Sequence, residues 1–215
     1  MSNQVAMPAD SWATVFDKLP LIAILRGVTP DECVSVAACL FDEGIEILEI
    51  PLNSPDPLTS IGYLTNRFPE RYIGAGTVLT GSQVERCQSV GCKLVVAPNI
   101  DPEVARLAKA AGMIYCPGVA TPSEAFSALK LGADALKFFP GELITPNVIK
   151  AMRAVLPADS RVVPVGGVSV DNMADYLAVG ANGFGIGSAL YKPGKSITEI
   201  RQSARAFVDA FRSLR

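Results

Sequence analysis

The 215-residue chain contains no histidine, and this absence excludes several kinds of catalytic site. A Ser–His–Asp triad or a Cys–His pair needs an imidazole base. A His-ligated zinc site and a two-histidine, one-carboxylate iron site are excluded for the same reason. Acid–base chemistry must therefore rely on Glu, Asp, Lys, Tyr or Cys.

Other scarce features narrow the class of protein. The formal net charge is −2 and no Lys/Arg cluster stands out, which argues against a nucleic-acid partner. No apolar run approaches the roughly 18 residues of a membrane span, and residues 1–10 lack a signal-peptide pattern. The five cysteines form no C-x-x-C pair, which favours reduced thiols. We expect a soluble, cytoplasmic protein without a membrane partner.

Eight short apolar runs are the main feature of the sequence. They begin near residues 21, 47, 73, 94, 113, 135, 162 and 183. Continuous apolar runs, unlike alternating ones, are typical of parallel strands that helices cover. Between them, capping-box patterns at residues 29–32, 80–83 and 121–124 predict helix starts.

This repeat predicts a single α/β domain over residues 1–215, a (β/α)8 TIM barrel. A short helix from Ser11 to Lys18 is expected before the first strand, and residues 1–10 are expected to form an N-terminal tail. The alternative is an open, doubly wound sheet. It would show a glycine-rich turn after its first strand, but that strand ends in Arg26-Gly27-Val28-Thr29.

One lysine is unusual in this pattern. Lys137 is the lysine flanked on both sides by apolar strand residues, whereas Lys93 opens its strand and is expected at the opposite, stability face. Burial lowers the pKa of a lysine, and a nearby Arg26 would lower it further. Lys137 therefore suits a Schiff-base nucleophile. The alternative is a structural ion pair with a strand carboxylate.

Two more charged residues lie at strand positions where barrel enzymes place their active sites. Glu49 stands among apolar residues, so its pKa should be raised and suit proton transfer. A salt bridge to Lys137 without chemistry is the alternative. Arg26 ends the first strand and suits a carboxylate or phosphate ligand. A packing or interface arginine is the other interpretation.

Glycine pairs end the last two strands, as Gly166-Gly167 and Gly185-Ile186-Gly187 followed by Ser188. Bare backbone N–H groups there, with a short helix expected near Ser188, would bind a phosphate. Tight turns are the alternative use of glycine. Together, these residues predict a metal-free Schiff-base lyase that acts on a phosphorylated keto acid.

Eight segments also carry a family resemblance. They are Leu19–Thr29, Glu49–Pro55, Gly74–Val78, Ala97–Asn99, Cys116–Ala120, Leu136–Pro140, Val165–Val168 and Gly185–Leu190. Over roughly residues 19–212, the chain resembles the class I aldolases of the 2-keto-3-deoxy-6-phosphogluconate type, with the 6-phosphogalactonate branch most similar.

The resemblance implies a (β/α)8 barrel, often a homotrimer, that needs no cofactor. It implies cleavage of a 2-keto-3-deoxy-6-phospho sugar acid to pyruvate and glyceraldehyde 3-phosphate. By position, Lys137 corresponds to the Schiff-base lysine and Glu49 to the proton-transfer residue. The implied substrate ligands are Arg26 and Thr77 at the keto-acid end, and Gly167, Gly187 and Ser188 at the phosphate.

Two departures bear on the substrate. Gluconate-type enzymes typically carry an arginine after the second-strand motif and a threonine before the glycine pair of the seventh strand. This chain has Asn53 and Val165, which favour the galactonate epimer.

Glu142, an acidic residue after the sixth strand, is expected to point away from the phosphate site.

Three alternatives remain beside the 2-dehydro-3-deoxy-6-phosphogalactonate aldolase. The first is the same reaction on 2-dehydro-3-deoxy-6-phosphogluconate. The second is a phosphate-binding barrel isomerase or decarboxylase that uses Lys137 as a general base. The third is a non-catalytic protein that binds a sugar-acid phosphate.

Overall fold

The computed structural model describes residues 10–215, and residues 1–9 of the predicted tail lie outside the described residues. The strands are β1 (Leu21–Ile24), β2 (Ile47–Pro51), β3 (Tyr72–Gly76), β4 (Leu94–Val96), β5 (Ile114–Cys116), β6 (Gly118–Val119), β7 (Leu136–Phe138), β8 (Val162–Pro164) and β9 (Phe184–Ile186). The helices are α1 (Trp12–Lys18), α2 (Pro30–Asp42), α3 (Pro57–Arg67), α4 (Gly81–Ser89), α5 (Pro102–Ala110), α6 (Pro122–Lys130), α7 (Pro146–Arg153), α8 (Met173–Ala178) and α9 (Ile197–Ser213).

The strands close into a parallel barrel. One sheet has the order β5-β4-β3-β2-β1-β9 and the other the order β6-β7-β8. Only Pro117 separates β5 from β6, so these two segments form one barrel strand that the proline interrupts. A parallel bridge between Val165 and Gly185 joins the remaining edges of the two sheets. The predicted (β/α)8 barrel, with its short N-terminal helix, is confirmed.

Local sequence signals account for where the helices begin. The three predicted capping boxes form at the starts of α2, α4 and α6. In α4, for example, Thr80 accepts a hydrogen bond from the Gln83 backbone, and the Gln83 side chain accepts one from the Thr80 backbone. The loops that precede α2, α4 and α6 are therefore short, with five residues or fewer between each strand and the helix after it.

Alternating strand residues divide the core into two layers. Outward-facing residues pack against the helices. Inward-facing residues fill the barrel together with Trp12 and Phe16 of α1, which close its N-terminal end. The Trp12 ring lies 5.4 Å from that of Tyr72. Inward polar residues come further along the strands, since Glu49 follows Ile47 and Lys137 follows Ala135 by two positions.

Candidate active site

The predicted site residues lie at or beyond the C-terminal parts of the strands. They are Arg26 after β1, Glu49 within β2, Asn53 after β2, Thr77 after β3, Lys137 within β7, Val165 and Gly167 after β8, and Gly187 and Ser188 after β9. Because all strand pairs are parallel, these positions meet at one end of the barrel.

Lys137 is held inside the barrel by the centre of β7. It pairs with Gly118 on one side and Val163 on the other, and it is 7% exposed. Its Nζ lies 4.7 Å from the centre of the Phe139 ring. Burial lowers the pKa of Lys137, the charge of Glu49 opposes this shift, and the charge of Arg26 adds to it. A lysine with a lowered pKa has more free amine for attack on a carbonyl.

Glu49 faces the same interior from β2 and is 2% exposed. Its Oε2 has no hydrogen-bond partner among the described residues. Burial raises the pKa of Glu49 to about 7, while the charges of Lys137 and Arg26 act in the opposite direction. No ion pair within 4.0 Å joins Glu49 to Lys137. A carboxyl group that titrates near neutrality is suited to take up and return a proton.

Arg26 and Asn53 connect the loops after β1 and β2. The Arg26 Nη1 donates a hydrogen bond of 2.7 Å to Asn53 Oδ1. Beside it, the Gly27 N–H donates to the hydroxyl of Ser54 at 3.0 Å. One contact to Asn53 leaves most of the guanidinium donors of Arg26 for an anion. Asn53, which was predicted to affect specificity, therefore contacts Arg26, the residue predicted to bind an anion.

Thr77 has an uncommon backbone conformation. Its φ is 57°, in the left-handed region that β-branched residues rarely occupy. Such a residue costs of order 1–3 kcal/mol and is found mainly where the surroundings impose it, often at functional sites. Thr77 directly follows β3, so this conformation sets the direction of the chain at the mouth of the barrel.

The glycine turns after β8 and β9 leave backbone N–H groups without a backbone acceptor. Gly166 and Gly167 have φ values of 107° and 64°. Neither the Gly167 nor the Ser188 N–H donates a hydrogen bond to the described backbone, so both are available to a ligand. The helix predicted near Ser188 is wrong. The chain forms one turn there, closed by bonds from Leu190 N and Tyr191 N to the carbonyl of Gly187.

Glu142 departs from the prediction. Its carboxylate lies beside the glycine pair, because a Cβ added to Gly166 would stand 2.8 Å from Glu142 Oε2. The backbone places it there, since Gly141 N donates to the Val165 carbonyl at 2.8 Å. This pairing brings the loop after β7 against the loop after β8. The expectation that Glu142 points away is therefore wrong.

A narrow cavity of about 10 Å³, room for about one water molecule, lies between the two ionisable residues. Its lining includes Lys137, Glu49, Val165, Cys116 and Gly185. Val165, predicted to affect specificity, thus lines the same cavity as Lys137 and Glu49. Cys116 was not singled out from the sequence. Burial raises the pKa of its thiol strongly, so Cys116 lines the cavity as an apolar residue.

Two features are absent from residues 10–215. No group of three or more Cys, Asp or Glu side chains is placed to hold a metal ion there. In the same range, no helix combines the length and apolar character needed to cross a membrane.

Comparison with known proteins gives consistent matches. A family model described as KDPG and KHG aldolase matches residues 13–203. A Rhizobium meliloti (strain 1021) protein named probable 2-dehydro-3-deoxy-6-phosphogalactonate aldolase is 52% identical over 193 residues, 89% of this chain and 91% of the relative. The Escherichia coli (strain K12) 2-dehydro-3-deoxy-6-phosphogalactonate aldolase is 48% identical over 202 residues, 94% of this chain and 97% of the relative.

A solved structure described as native KDPGal superposes with a TM-score of 0.90 at 48% identity, covering 92% of this chain and 96% of that one. Relatives named 2-dehydro-3-deoxy-phosphogluconate aldolase are less similar, with identities of 30%, 32% and 38%.

Proposed function

The chain belongs to the KDPG and KHG aldolase family, and from this premise we propose that it cleaves 2-dehydro-3-deoxy-6-phosphogalactonate to pyruvate and glyceraldehyde 3-phosphate. It is a carbon–carbon lyase. One observation carries the assignment of roles: Lys137 and Glu49 face one cavity, where burial lowers the pKa of the amine and raises that of the acid.

In the proposed reaction Lys137 is the nucleophile. Its free amine attacks the C2 ketone of the substrate, and loss of water yields an iminium ion. The iminium then accepts the electron pair of the C3–C4 bond. A lowered pKa of Lys137 favours the first step, because only the unprotonated amine carries the lone pair that attacks.

Glu49 is the proposed proton-transfer group. It takes the proton of the C4 hydroxyl through a water molecule, the C3–C4 bond breaks, and glyceraldehyde 3-phosphate leaves. The remaining enamine takes a proton at C3, and hydrolysis of the iminium releases pyruvate and the Lys137 amine. A pKa of about 7 supports both directions of this transfer, since each form of Glu49 is populated near neutral pH.

The two ends of the substrate have proposed partners on different loops. Arg26 and Thr77 bind the keto-acid end, and the unbonded N–H groups of Gly167 and Ser188, with Gly187 between the strand and the turn, bind the phosphate. No metal or other cofactor enters this scheme. The iminium nitrogen supplies the positive charge that draws electrons from the breaking bond.

Borohydride trapping tests the nucleophile. Pyruvate and borohydride are added to the protein, and the modified peptide is identified by mass spectrometry. A reduced pyruvyl adduct on Lys137 is the expected result. No adduct, or one on another lysine, would contradict the Schiff-base role and favour a general-base role for Lys137.

Asn53 and Val165 support the galactonate epimer, as do the higher identities to galactonate-type relatives. One change between a methyl and a hydroxyl group seldom discriminates absolutely, so we expect a preference rather than exclusion. The test is kcat/KM for the two epimeric keto acids. A clear preference for the gluconate epimer would overturn the assignment to Asn53 and Val165.

We also propose a cytoplasmic homotrimer, which rests on the family resemblance. Sedimentation equilibrium should give a mass of three chains of 22.7 kDa each. A monomer or dimer would contradict this proposal without affecting the assignment of the reaction.

A further inference from the structure

The C-terminal end of β3 leaves a space that Glu49 occupies. Gly76 is the last residue of β3 and pairs with Pro51 of β2. A Cβ added to Gly76 would overlap Oε2 and Cδ of Glu49 and lie 2.5 Å from Oε1. The three heavy atoms nearest to such a Cβ all belong to the Glu49 side chain.

The backbone at Gly76 is held from both sides. Its carbonyl accepts a hydrogen bond of 2.8 Å from Leu52 N, and two residues later Val78 N donates to the Val96 carbonyl at 3.3 Å. Moving β3 away from Glu49 would break pairing with β2 or β4. A side chain at position 76 must therefore be accommodated by the carboxylate.

The backbone of Glu49 is fixed as well. Glu49 pairs with Ile24 and Gly74, and its carbonyl accepts a hydrogen bond of 3.0 Å from Leu25 N. Its position can change only through the side-chain torsions. Those torsions decide where the carboxyl group stands relative to Lys137 in the cavity.

We propose that Gly76 is a positioning residue for the reaction, because its missing side chain creates the space that holds the Glu49 carboxylate towards the cavity shared with Lys137. This inference rests on the proposed role of Glu49. The neighbouring inward glycine has another role: a Cβ on Gly74 would overlap the backbone of Leu94, so Gly74 permits the approach of β4.

The primary test is Gly76→Ala. We expect kcat for cleavage of 2-dehydro-3-deoxy-6-phosphogalactonate to fall about 100-fold, as for a 1 Å misplacement of a catalytic group, with little change in KM. The limb of the pH–rate profile that reports Glu49 should move to lower pH, since a displaced carboxyl loses part of its burial. Gly62→Ala in α3 is the matched control, because its Cβ would have only an ordinary contact of 3.9 Å with Val90.

A shorter acidic side chain at position 49 should tolerate the methyl group that Gly76→Ala adds. Glu49→Asp withdraws the carboxylate by about one C–C bond, ~1.5 Å, which makes room for a Cβ at position 76. Adding Gly76→Ala to Glu49→Asp should therefore reduce kcat far less than adding it to the wild type. Equal reductions in both backgrounds, or a wild-type kcat in Gly76→Ala, would overturn the proposal.

A double-mutant cycle of unfolding free energies tests this inference without using activity, so it is independent of the proposed function. It also applies if Gly76→Ala folds poorly. Urea unfolding is measured for the wild type, Glu49→Ala, Gly76→Ala and the double variant. At pH 4, where burial of the protonated carboxyl group of Glu49 carries no cost of charge, the urea midpoint should fall for Gly76→Ala alone and change little when alanine already occupies position 49. An equal fall in both would refute the steric coupling. A wild type that cleaves neither epimer would instead refute the proposed function, while the double-mutant cycle would still report on Gly76.

Discussion

Two buried lysines lie at opposite ends of the barrel in different surroundings. Lys93 is 6% exposed and Lys137 is 7% exposed, and burial lowers the pKa of both. Lys93 precedes β4 and donates a hydrogen bond to the carbonyl of Pro69. The Lys137 amine donates no such hydrogen bond to a carbonyl of the described residues. It faces the ring of Phe139 and lines the same cavity as Glu49.

The difference between the two lysines is one of surroundings rather than burial. At the N-terminal end, Trp12 and Phe16 close the barrel, and charges nearby are paired, as Glu46 is with Lys18 and Arg71. At the C-terminal end, Glu49 Oε2 has no partner and the Gly167 and Ser188 N–H groups donate to no described backbone carbonyl. Unpartnered groups also occur at the N-terminal end, for example Trp12 Nε1 and Ser160 Oγ. The C-terminal end differs in that two ionisable side chains, Glu49 and Lys137, line one cavity there, as expected of a ligand site in a barrel.

Replacing each lysine with methionine tests this comparison directly, and the loss of activity expected for Lys137→Met is the largest predicted here. Lys137→Met should lower kcat/KM by more than about 10³-fold, because it removes the proposed nucleophile. Lys93→Met should leave kcat/KM within about twofold of the wild type, because it lies at the other end of the barrel. Steady-state kinetics measure both, with circular dichroism as a check on folding. Comparable losses of kcat/KM in the two variants would show that the surroundings of Lys137 do not give it a special role.

Glu49→Gln should separate Schiff-base formation from bond cleavage. Without a group that exchanges protons, kcat should fall about 10²–10⁴-fold. Borohydride should still trap pyruvate on Lys137, since the amine remains. Loss of trapping in this variant, despite a native circular dichroism spectrum, would mean that Glu49 acts on the nucleophile and not on the C4 hydroxyl.

The raised pKa of Glu49 also predicts a pH-dependent cost in stability. In the unfolded chain Glu49 ionises from about pH 4.5, but in the folded protein it does so near pH 7. Between these values the folded state binds more protons, so the free energy of unfolding falls as pH rises, by up to about 3 kcal/mol.

Glu49→Gln should remove this dependence. Urea unfolding of both proteins at pH 4 and at pH 8 is the measurement, and Glu49→Gln should gain stability relative to the wild type at the higher pH. Parallel pH dependences for the two proteins would show that Glu49 ionises at its ordinary pKa.

Glu142→Gln should give the smallest effect. Its carboxylate lies beside the glycine pair, where it would repel a phosphate bound as proposed. Removing one exposed charge should lower KM for the phosphorylated substrate about two- to fivefold. The gain should shrink at high salt, which screens such a charge. A higher KM in Glu142→Gln would mean that the carboxylate supports the phosphate site.

Most of the fold was predictable because its signals are local. The capping boxes of α2, α4 and α6 depend on residues three apart, and the strands depend on continuous apolar runs. Lys137 and Glu49 were found as charges inside such runs. The interruption at Pro117 was not predicted, and neither was the single turn at Ser188. Pro117 lacks the N–H that a strand residue donates, and the turn closes on the Gly187 carbonyl without continuing into a helix. Neither outcome follows from an apolar run or a capping pattern.

The sequence by itself determined the order of strands and helices, the end of the barrel where polar residues gather, and the family motifs. Only the tertiary structure decided that Gly76 leaves room for the Glu49 carboxylate, that Asn53 contacts Arg26, and that Glu142 lies against the glycine pair. The physical reason is that helix caps and strand periods arise from contacts a few residues apart. The direction of a side chain at the mouth of a barrel is set instead by strands and loops that are distant in the sequence.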